Sequence, residues 1–450
     1  IRNRIYDVLD NVHVIWKRKR AMLRGMKCRR ELGSVGRKKL VYINIDGFSY
    51  SYLERLRSHG RAGGFERLQH DGFLFTALRS GLVSITCPMQ GAILCGAWSD
   101  RTHNFFEHYD IRSGRVVRHG RTCDAQNAAE ALLAQGATVA SIHQFMLEHR
   151  PCEEGSEQCA YIRCEKEPSD SRDRFALLKD LARGTPVHTG DTLLRCATMP
   201  DFTALYIDDI DGLGHNMDYG PYPRRATWEE RLCDIEERLE LIQQELEAFI
   251  AICKQRGFFE DLTVLVTTDH GMTPFWGKSC LPDILTRLNG AGFSTATPEN
   301  RTRDTQLVAL GHDIELSLYA VAPLTEEQMQ RIRRICEAPA YIQFVFDRAE
   351  MQRRYGFDPR GPEFLLCPVR GGHFCGRDVP VGACAASHDS FDETSQHIFG
   401  LLLGGSVAQR GTWDAPTSAI DLLPTILAGQ FGVTMRDSTG TLHDGWFAGE

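Results

Sequence analysis

Leu262-Thr-Val-Leu-Val-Thr267 runs into Thr268-Asp269-His270-Gly271. A short, largely β-branched apolar run closed by a charged turn reads as a buried strand that presents an acid and an imidazole at its carboxyl end. The same pattern recurs upstream. Leu40-Val-Tyr-Ile-Asn-Ile45 ends in Asp46-Gly47, and Thr203-Ala-Leu-Tyr-Ile207 is soon followed by Asp211-Gly-Leu-Gly-His215; Thr138-Val-Ala-Ser-Ile142 is a further strand of this type. Ahead of residue 262, Trp228, Leu232, Ile235, Leu239, Ile242 and Leu246 recur every three or four positions, with Glu and Arg between them. That spacing predicts an amphipathic helix of about four turns. A coiled-coil seam has similar spacing, but alternation with strands favours a crossover helix packed on a sheet. The expected fold class is therefore α/β: a mainly parallel central sheet with helices on both faces. In such folds the site lies at the carboxyl ends of the strands.

Between residues 274 and 380 the texture changes. Glu315–Val321, a helix over Thr325–Cys336 and Ile342–Phe346 suggest a small α+β cap inserted into the larger domain. The expected organisation is a basic leader over 1–38, a catalytic domain from 39–273 and 381–450, and the cap over 274–380. His397–Leu403 reads as a returning strand and Ala419–Leu427 as a short helix.

The 450 residues carry 52 Lys plus Arg against 59 Asp plus Glu, a formal charge of −7. This balance argues against a nucleic-acid-binding surface, which needs excess positive charge. The basic stretch 16–30 has the composition of a helix that touches anionic membranes, and equally of a solvated helix or linker. No lipidation motif accompanies it, which favours the second reading. The 15 cysteines are odd in number and form no paired CxxC zinc ribbon. Cys152, Cys159 and Cys164 have spacing suited to a metal or a disulfide, but reduced thiols in a loop are the preferred reading. Reduced thiols point to a cytoplasmic location. The chain begins at Ile1, which leaves a removed signal peptide or anchor open, and with it secretion or membrane association. The sequence gives no indication of oligomeric state.

The chemistry rests on the strand ends. Taken singly, Asp46 is a turn residue, Asp269 a capping residue, and Asp211-x-x-x-His215 a surface turn. Together they bring three hard carboxylates and two imidazoles to one edge of a sheet, a donor set that suits zinc, manganese or iron rather than thiolate-bound structural zinc. Ser84-Ile-Thr-Cys-Pro-Met-Gln90 reads as a loop feeding a helix N-terminus, where oriented N–H groups favour an anion. Thr86 there is a candidate nucleophile or an N-cap. Cys87 lacks a Cys–His base motif and reads as a small buried thiol.

Asp46-Gly47, Thr86-Cys-Pro, Asp211-x-x-x-His215, Asp269-His270-Gly271 and a late His occur in the order found in the alkaline phosphatase superfamily. The set most resembles the type I phosphodiesterase/nucleotide pyrophosphatase branch, which has phosphonoacetate hydrolase-like relatives. The resemblance spans roughly residues 39 to 430 and implies an alkaline phosphatase-like fold with two divalent metals, Zn2+ first and Mn2+ or Fe as alternatives. One metal would take Asp46, Thr86, Asp269 and His270; the other would take Asp211, His215 and a late His. His388 is the chosen late ligand, although the family usually has His-Gly where this chain has His388-Asp389. His373, in a glycine-rich loop, is its main rival, and His397 is a structural residue at the start of a strand. The resemblance also implies a covalent phospho-intermediate on Thr86, then attack by water.

Sulfatases of this superfamily use C/S-x-P-x-R. Here Thr86 and Gln90 occupy the nucleophile and Arg positions, which argues against sulfatase activity. Many nucleotide pyrophosphatases place an Asn shortly after the nucleophile. Gln90 would either supply that amide to a phosphoryl oxygen or pack against its helix.

The expected function is two-metal hydrolysis of small phosphate esters. C–P cleavage of a phosphonate, as in phosphonoacetate hydrolase, is the enzymatic alternative, and a catalytically degenerate binding module is the non-enzymatic one. Arg303, Arg331, Arg333 and Arg334 of the cap would meet an anionic substrate or form a solvated face.

Overall fold

The computed structural model describes residues 28–32, 38–153, 156–189 and 192–447. Its centre is an eight-stranded sheet. In chain order the strands are β1 (Lys39–Ile45), β2 (Gly72–Phe75), β3 (Val139–Ile142), β4 (Cys159–Ile162), β5 (Phe202–Ile207), β6 (Leu262–Thr267), β7 (Gly400–Leu403) and β8 (Gly411–Trp413). Their spatial order is β8-β2-β7-β6-β1-β5-β3-β4. β7 pairs antiparallel with both neighbours, and all other pairings in the sheet are parallel. This is the mainly parallel α/β fold expected from the sequence.

Every residue of β1, β5 and β6 is buried. Their sequences are nearly continuous apolar runs because both faces are covered. Val41, Ile43, Leu205, Ile207, Val264 and Val266 pack on one face with Leu239, Ile242 and Leu246. Leu40, Tyr42, Phe202, Ala204 and Leu265 pack on the other with Ile93, Leu423 and Ile426.

Four helices matter for the site: α1 (Thr86–Cys95), α2 (Ser171–Arg183), α3 (Asp209–Gly214) and α4 (Trp228–Gln255). α4 is longer than the expected four turns, at 28 residues. Phe249, Ile250 and Cys253 extend its buried stripe, and a Thr227–Glu230 capping box fixes its start. It packs against the sheet as a crossover helix.

A second sheet lies wholly between residues 295 and 368. Its strand order is Thr295–Ala296, Leu307–Gly311, Leu316–Ala320, Phe364–Pro368, Ile342–Asp347. It has its own core, in which Ile284, Leu288 and Ile332 pack against Leu307, Leu318 and Leu366. At its neck, Thr273 pairs with Ser387 and Pro274 with Ala386 in an antiparallel ladder. A further bridge joins Gly277 to Val379.

Other expectations need correction. His397 precedes β7 rather than beginning it, and its ring stacks on Tyr50 at 4.0 Å. The segment 419–431 is a short 3-10 turn followed by a helix over Leu422–Phe431. Cys152 and Cys159 form a disulfide rather than remaining reduced, while Cys164 is a buried free thiol. The basic residues 16–27 lie outside the described residues; Cys28–Leu32 pairs in parallel with Thr192–Cys196. No helix among the described residues is long and apolar enough to cross a membrane.

Candidate metal centre and active site

Strands β1, β5 and β6 lie side by side and parallel, so the loops after them open on one edge. Asp46 follows β1, Asp209–Gly214 (α3) follows β5, and Asp269-His270 follows β6. Gly47 lets the first two meet. Its φ is +79°, and a Cβ there would lie 2.9 Å from the Asp211 backbone. α3 puts Asp211 and His215 one turn apart, with His215 Nε2 3.4 Å from Asp211 Oδ1.

Thr86 is the first residue of α1. The extended residue Ile85 precedes it, and no side chain caps the helix. The Thr86 hydroxyl instead meets His270 Nε2 at 3.2 Å. The same nitrogen lies 3.2 Å from Asp46 Oδ1 and 3.6 Å from Asp269 Oδ2.

His388 completes the cluster. The neck ladder at Ser387 carries it beside the 269–274 segment. Its ring stacks on His270 with centroids 3.7 Å apart and meets His215 edge-on at 5.0 Å. His388 Nε2 lies 3.7 Å from Asp211 Oδ1. The two rivals lie elsewhere. His373 is fully buried against Gly277 O and Cys375, and His397 Nε2 contacts Thr76 O.

Two overlapping donor groups result: Asp211, His215 and His388, and Asp46, Asp211 and His270. Within each, the ligand atoms lie within 4.8 Å of one another. The buried oxygens Asp46 Oδ1 and Asp211 Oδ1 accept no hydrogen bond. A buried carboxylate oxygen in that state is costly unless a cation faces it. The imidazoles are already oriented for such a partner. His270 Nδ1 donates to Gly271 O at 3.0 Å and His388 Nδ1 to Ser84 O at 2.7 Å, so both Nε2 atoms are left free to ligate. Burial, together with the neighbouring His270, holds the His388 pKa well below its usual value, in the neutral form a metal requires. Burial and the nearby Asp269 and Asp211 raise Asp46. Burial raises Asp211 too, but His215 outweighs it and the net shift is downward; the same pairing overcomes burial at His215 and lifts it to about 9. The residues present therefore form donor groups that suit divalent cations.

Sequence reasoning missed the groups that hold these side chains in place. Tyr206, from β5, donates its hydroxyl to Asp46 Oδ2, and burial keeps the phenol protonated. Gln90 Nε2 donates to Asn44 Oδ1 at 2.6 Å and to Asp269 Oδ2 at 3.0 Å, while its Oε1 accepts from Gln144 at 2.8 Å. With both amide hydrogens engaged, Gln90 faces Asp269 rather than a substrate. Asn44 was the available signal, a polar residue inside an apolar strand. Asp389, the departure from His-Gly, is also buried. Its Oδ2 accepts from Ile314 N at 2.8 Å and Glu315 N at 3.2 Å, which ties the His388 turn to the second sheet. Cys87 has its thiol pushed up by burial. Arg333 is engaged by Glu337, Asp347 and Glu350, and Arg331 donates to Ala291 O.

Residues 40–289 match the profile described as type I phosphodiesterase/nucleotide pyrophosphatase, a span longer than half the chain. A search of curated proteins finds no match. Among solved structures, murine ectonucleotide pyrophosphatase/phosphodiesterase 5 is similar, with a TM-score of 0.61 and 14% identity, covering 90% of this chain and 98% of that one. An inactive variant of the murine protein, in complex with AMP, matches with the same score and identity over 90% and 97% of the two chains. The human counterpart gives a TM-score of 0.60 at 14% identity over 90% and 97%. The fold is thus shared across nearly the whole length, and the profile match identifies the chain as a member of the type I phosphodiesterase/nucleotide pyrophosphatase family of the alkaline phosphatase superfamily.

Proposed function

We propose that this chain is a two-metal hydrolase of phosphate diesters or pyrophosphates, with Thr86 as nucleophile. The observation that carries the reading is the meeting of the Thr86 hydroxyl, His270 Nε2 and the unpartnered Asp46 oxygen at one point, with Asp211, His215 and His388 alongside. Asp46, Thr86, Asp269 and His270 would hold one divalent cation, and Asp211, His215 and His388 the other. When bound, these ions would supply the positive charge that neutralises phosphoryl oxygens and favours ionisation of a coordinated hydroxyl.

The chain's own residues do the rest. Thr86 Oγ1 forms the new P–O bond as the leaving alkoxide or phosphate departs in line, and water then displaces Thr86. At the start of α1, a ten-residue helix, the Thr86 and Cys87 N–H groups would meet the anion from the Thr86 side, since Pro88 has none and the Met89 N–H is bonded to Ile85 O. Tyr206 and Gln90 fix Asp46 and Asp269 in place, and the Ser84 carbonyl fixes the His388 tautomer. The AMP complex of the inactive murine relative supports a nucleotide-type ester as substrate.

The test is a panel of bis-p-nitrophenyl phosphate, nucleotide esters and phosphonoacetate, assayed with zinc, with manganese and after chelation. The expected result is turnover of the diesters that is lost on chelation and restored by metal. Exclusive turnover of phosphonoacetate would move the activity to C–P cleavage. Metal binding without turnover of any substrate would make the chain a binding module.

A further inference from the structure

At the end of helix α1 opposite Thr86, a thiol of the helix meets a thiol from a neighbouring loop. Cys95, the last residue of the helix, is buried, and its Sγ lies 3.3 Å from Cys123 Sγ. A disulfide bond measures about 2.05 Å, so these are thiols in contact. They are 28 positions apart. Cys123 comes from the loop after the hairpin formed by Glu107–Asp110 and Arg115–Arg118. That loop already packs along the helix: a methyl group added at Gly91 would lie 3.7 Å from the Cys123 sulfur.

The pair is asymmetric. Cys95 is buried, while Cys123 is partly exposed. The contact between them shifts the Cys123 thiol downward and Cys95 upward, and the Cys95 sulfur also lies 3.4 Å from Ala125 O. The Arg150 guanidinium favours the thiolate at both positions. It is anchored by Nη2 on Ala125 O at 2.9 Å and by Nε on Glu130 at 2.8 Å. A small electrophile therefore meets Cys123 first, with Cys95 directly behind it. This is the arrangement of an attacking and a resolving thiol.

We propose that Cys95 and Cys123 form a redox modification site, in which a low-molecular-weight disulfide oxidises the pair to an intramolecular disulfide. The Cys123 thiolate attacks one sulfur of the small disulfide, a mixed disulfide forms, and one small thiolate leaves. Cys95 then attacks the Cys123 sulfur. The second small thiolate departs and takes up the Cys95 proton. The two protein thiols are oxidised by two electrons, and the small disulfide is reduced to two thiols. The new bond joins the last turn of the helix that begins at Thr86 to the loop around Cys123. The site is independent of the proposed hydrolase activity, since neither sulfur belongs to the metal-ligand set.

The experiment uses the full chain, reduced and then equilibrated with glutathione mixtures of increasing oxidised share. Free thiols are alkylated in denaturant, and digests are mapped without reduction. The expected product is a cross-linked pair of peptides containing Cys95 and Cys123, two hydrogen masses lighter than the free thiols. It should grow with the oxidised share and disappear with dithiothreitol. Cys123→Ser should abolish the cross-link, and Cys95→Ser should stop the reaction at a glutathione adduct on Cys123. Both cysteines remaining free at every mixture, a terminal glutathione adduct in the unsubstituted chain, or pairing of either with a third cysteine would overturn the proposal.

Discussion

His373 and His388 both lie in the chain beyond the Phe364–Pro368 strand, yet of the two only His388 reaches the Asp211 carboxylate. His373 spends both ring nitrogens on its own surroundings, the Gly277 carbonyl and the Cys375 thiol. If His388 is a ligand, His388→Ala should lower diester turnover by at least ~10²-fold and remove about one of two bound metal equivalents. His373→Ala should keep both equivalents, at the cost of a packing defect. Metal content of the purified variants, measured beside their turnover, separates the two; full metal content in His388→Ala would reject the assignment. Asp46, Asp211, His215, Asp269 and His270 stood out in the sequence because they come after apolar strands, whereas His388 was placed only through the family resemblance. The residues that orient them did not stand out. Tyr206 and Asn44 lie inside strands, where aromatic and buried polar side chains also serve the core. Gln90 is separated from Asn44 by 46 positions and from Asp269 by 179, so its partners became visible only in three dimensions. The sequence left Gln90 open between a phosphoryl donor and a helix-packing residue, and neither reading anticipated its bonds to Asn44 and Asp269.

At the scale of elements, the centre is a meeting of turns that tolerate almost no added volume. Gly47 combines a left-handed backbone with contact against Asp211. Gly47→Ala should cost roughly 1–2 kcal/mol in backbone strain alone and should also push β1 and α3 apart. The expected outcome is weakened metal binding together with a lower melting temperature. A variant with unchanged affinity for added zinc would show that the Asp46–Asp211 approach does not depend on this turn. The strands that carry the site were legible to within a residue or two, since 262–267 and 40–45 are runs that only a doubly covered sheet explains. The length of α4 and the neck ladder were not. The helix continues past Leu246 on a buried stripe that includes Cys253, a residue that carries little periodic signal. The ladder at Thr273–Pro274 and Ala386–Ser387 joins segments more than a hundred residues apart through backbone bonds, which leave no side-chain pattern.

At the scale of the whole molecule, stability should fall on the acid side. His143 lies just after β3 and accepts the Cys164 backbone N–H at Nε2, 2.8 Å away. Burial, helped by Arg174 and Arg163, pushes its pKa from 6.5 down to about 3. Between those values the unfolded chain takes up a proton that the folded chain refuses. The stability held above pH 6.5 is therefore lost progressively as the pH falls towards 3. Urea unfolding at several pH values should give a shallower acid decline for His143→Gln than for the parent, and equal slopes would remove His143 from the account. The central claim concerns the convergence of three strand ends on Thr86, and trapping the reaction tests it most directly. The metal-loaded chain is quenched with acid during turnover of a phosphodiester, and its peptides are mapped by mass spectrometry. The account predicts a phosphoryl or phosphoryl-ester adduct on Thr86, and for Thr86→Ala neither the adduct nor turnover above ~10⁻³ of the parent. Undiminished turnover in Thr86→Ala, with no adduct in the parent, would contradict it.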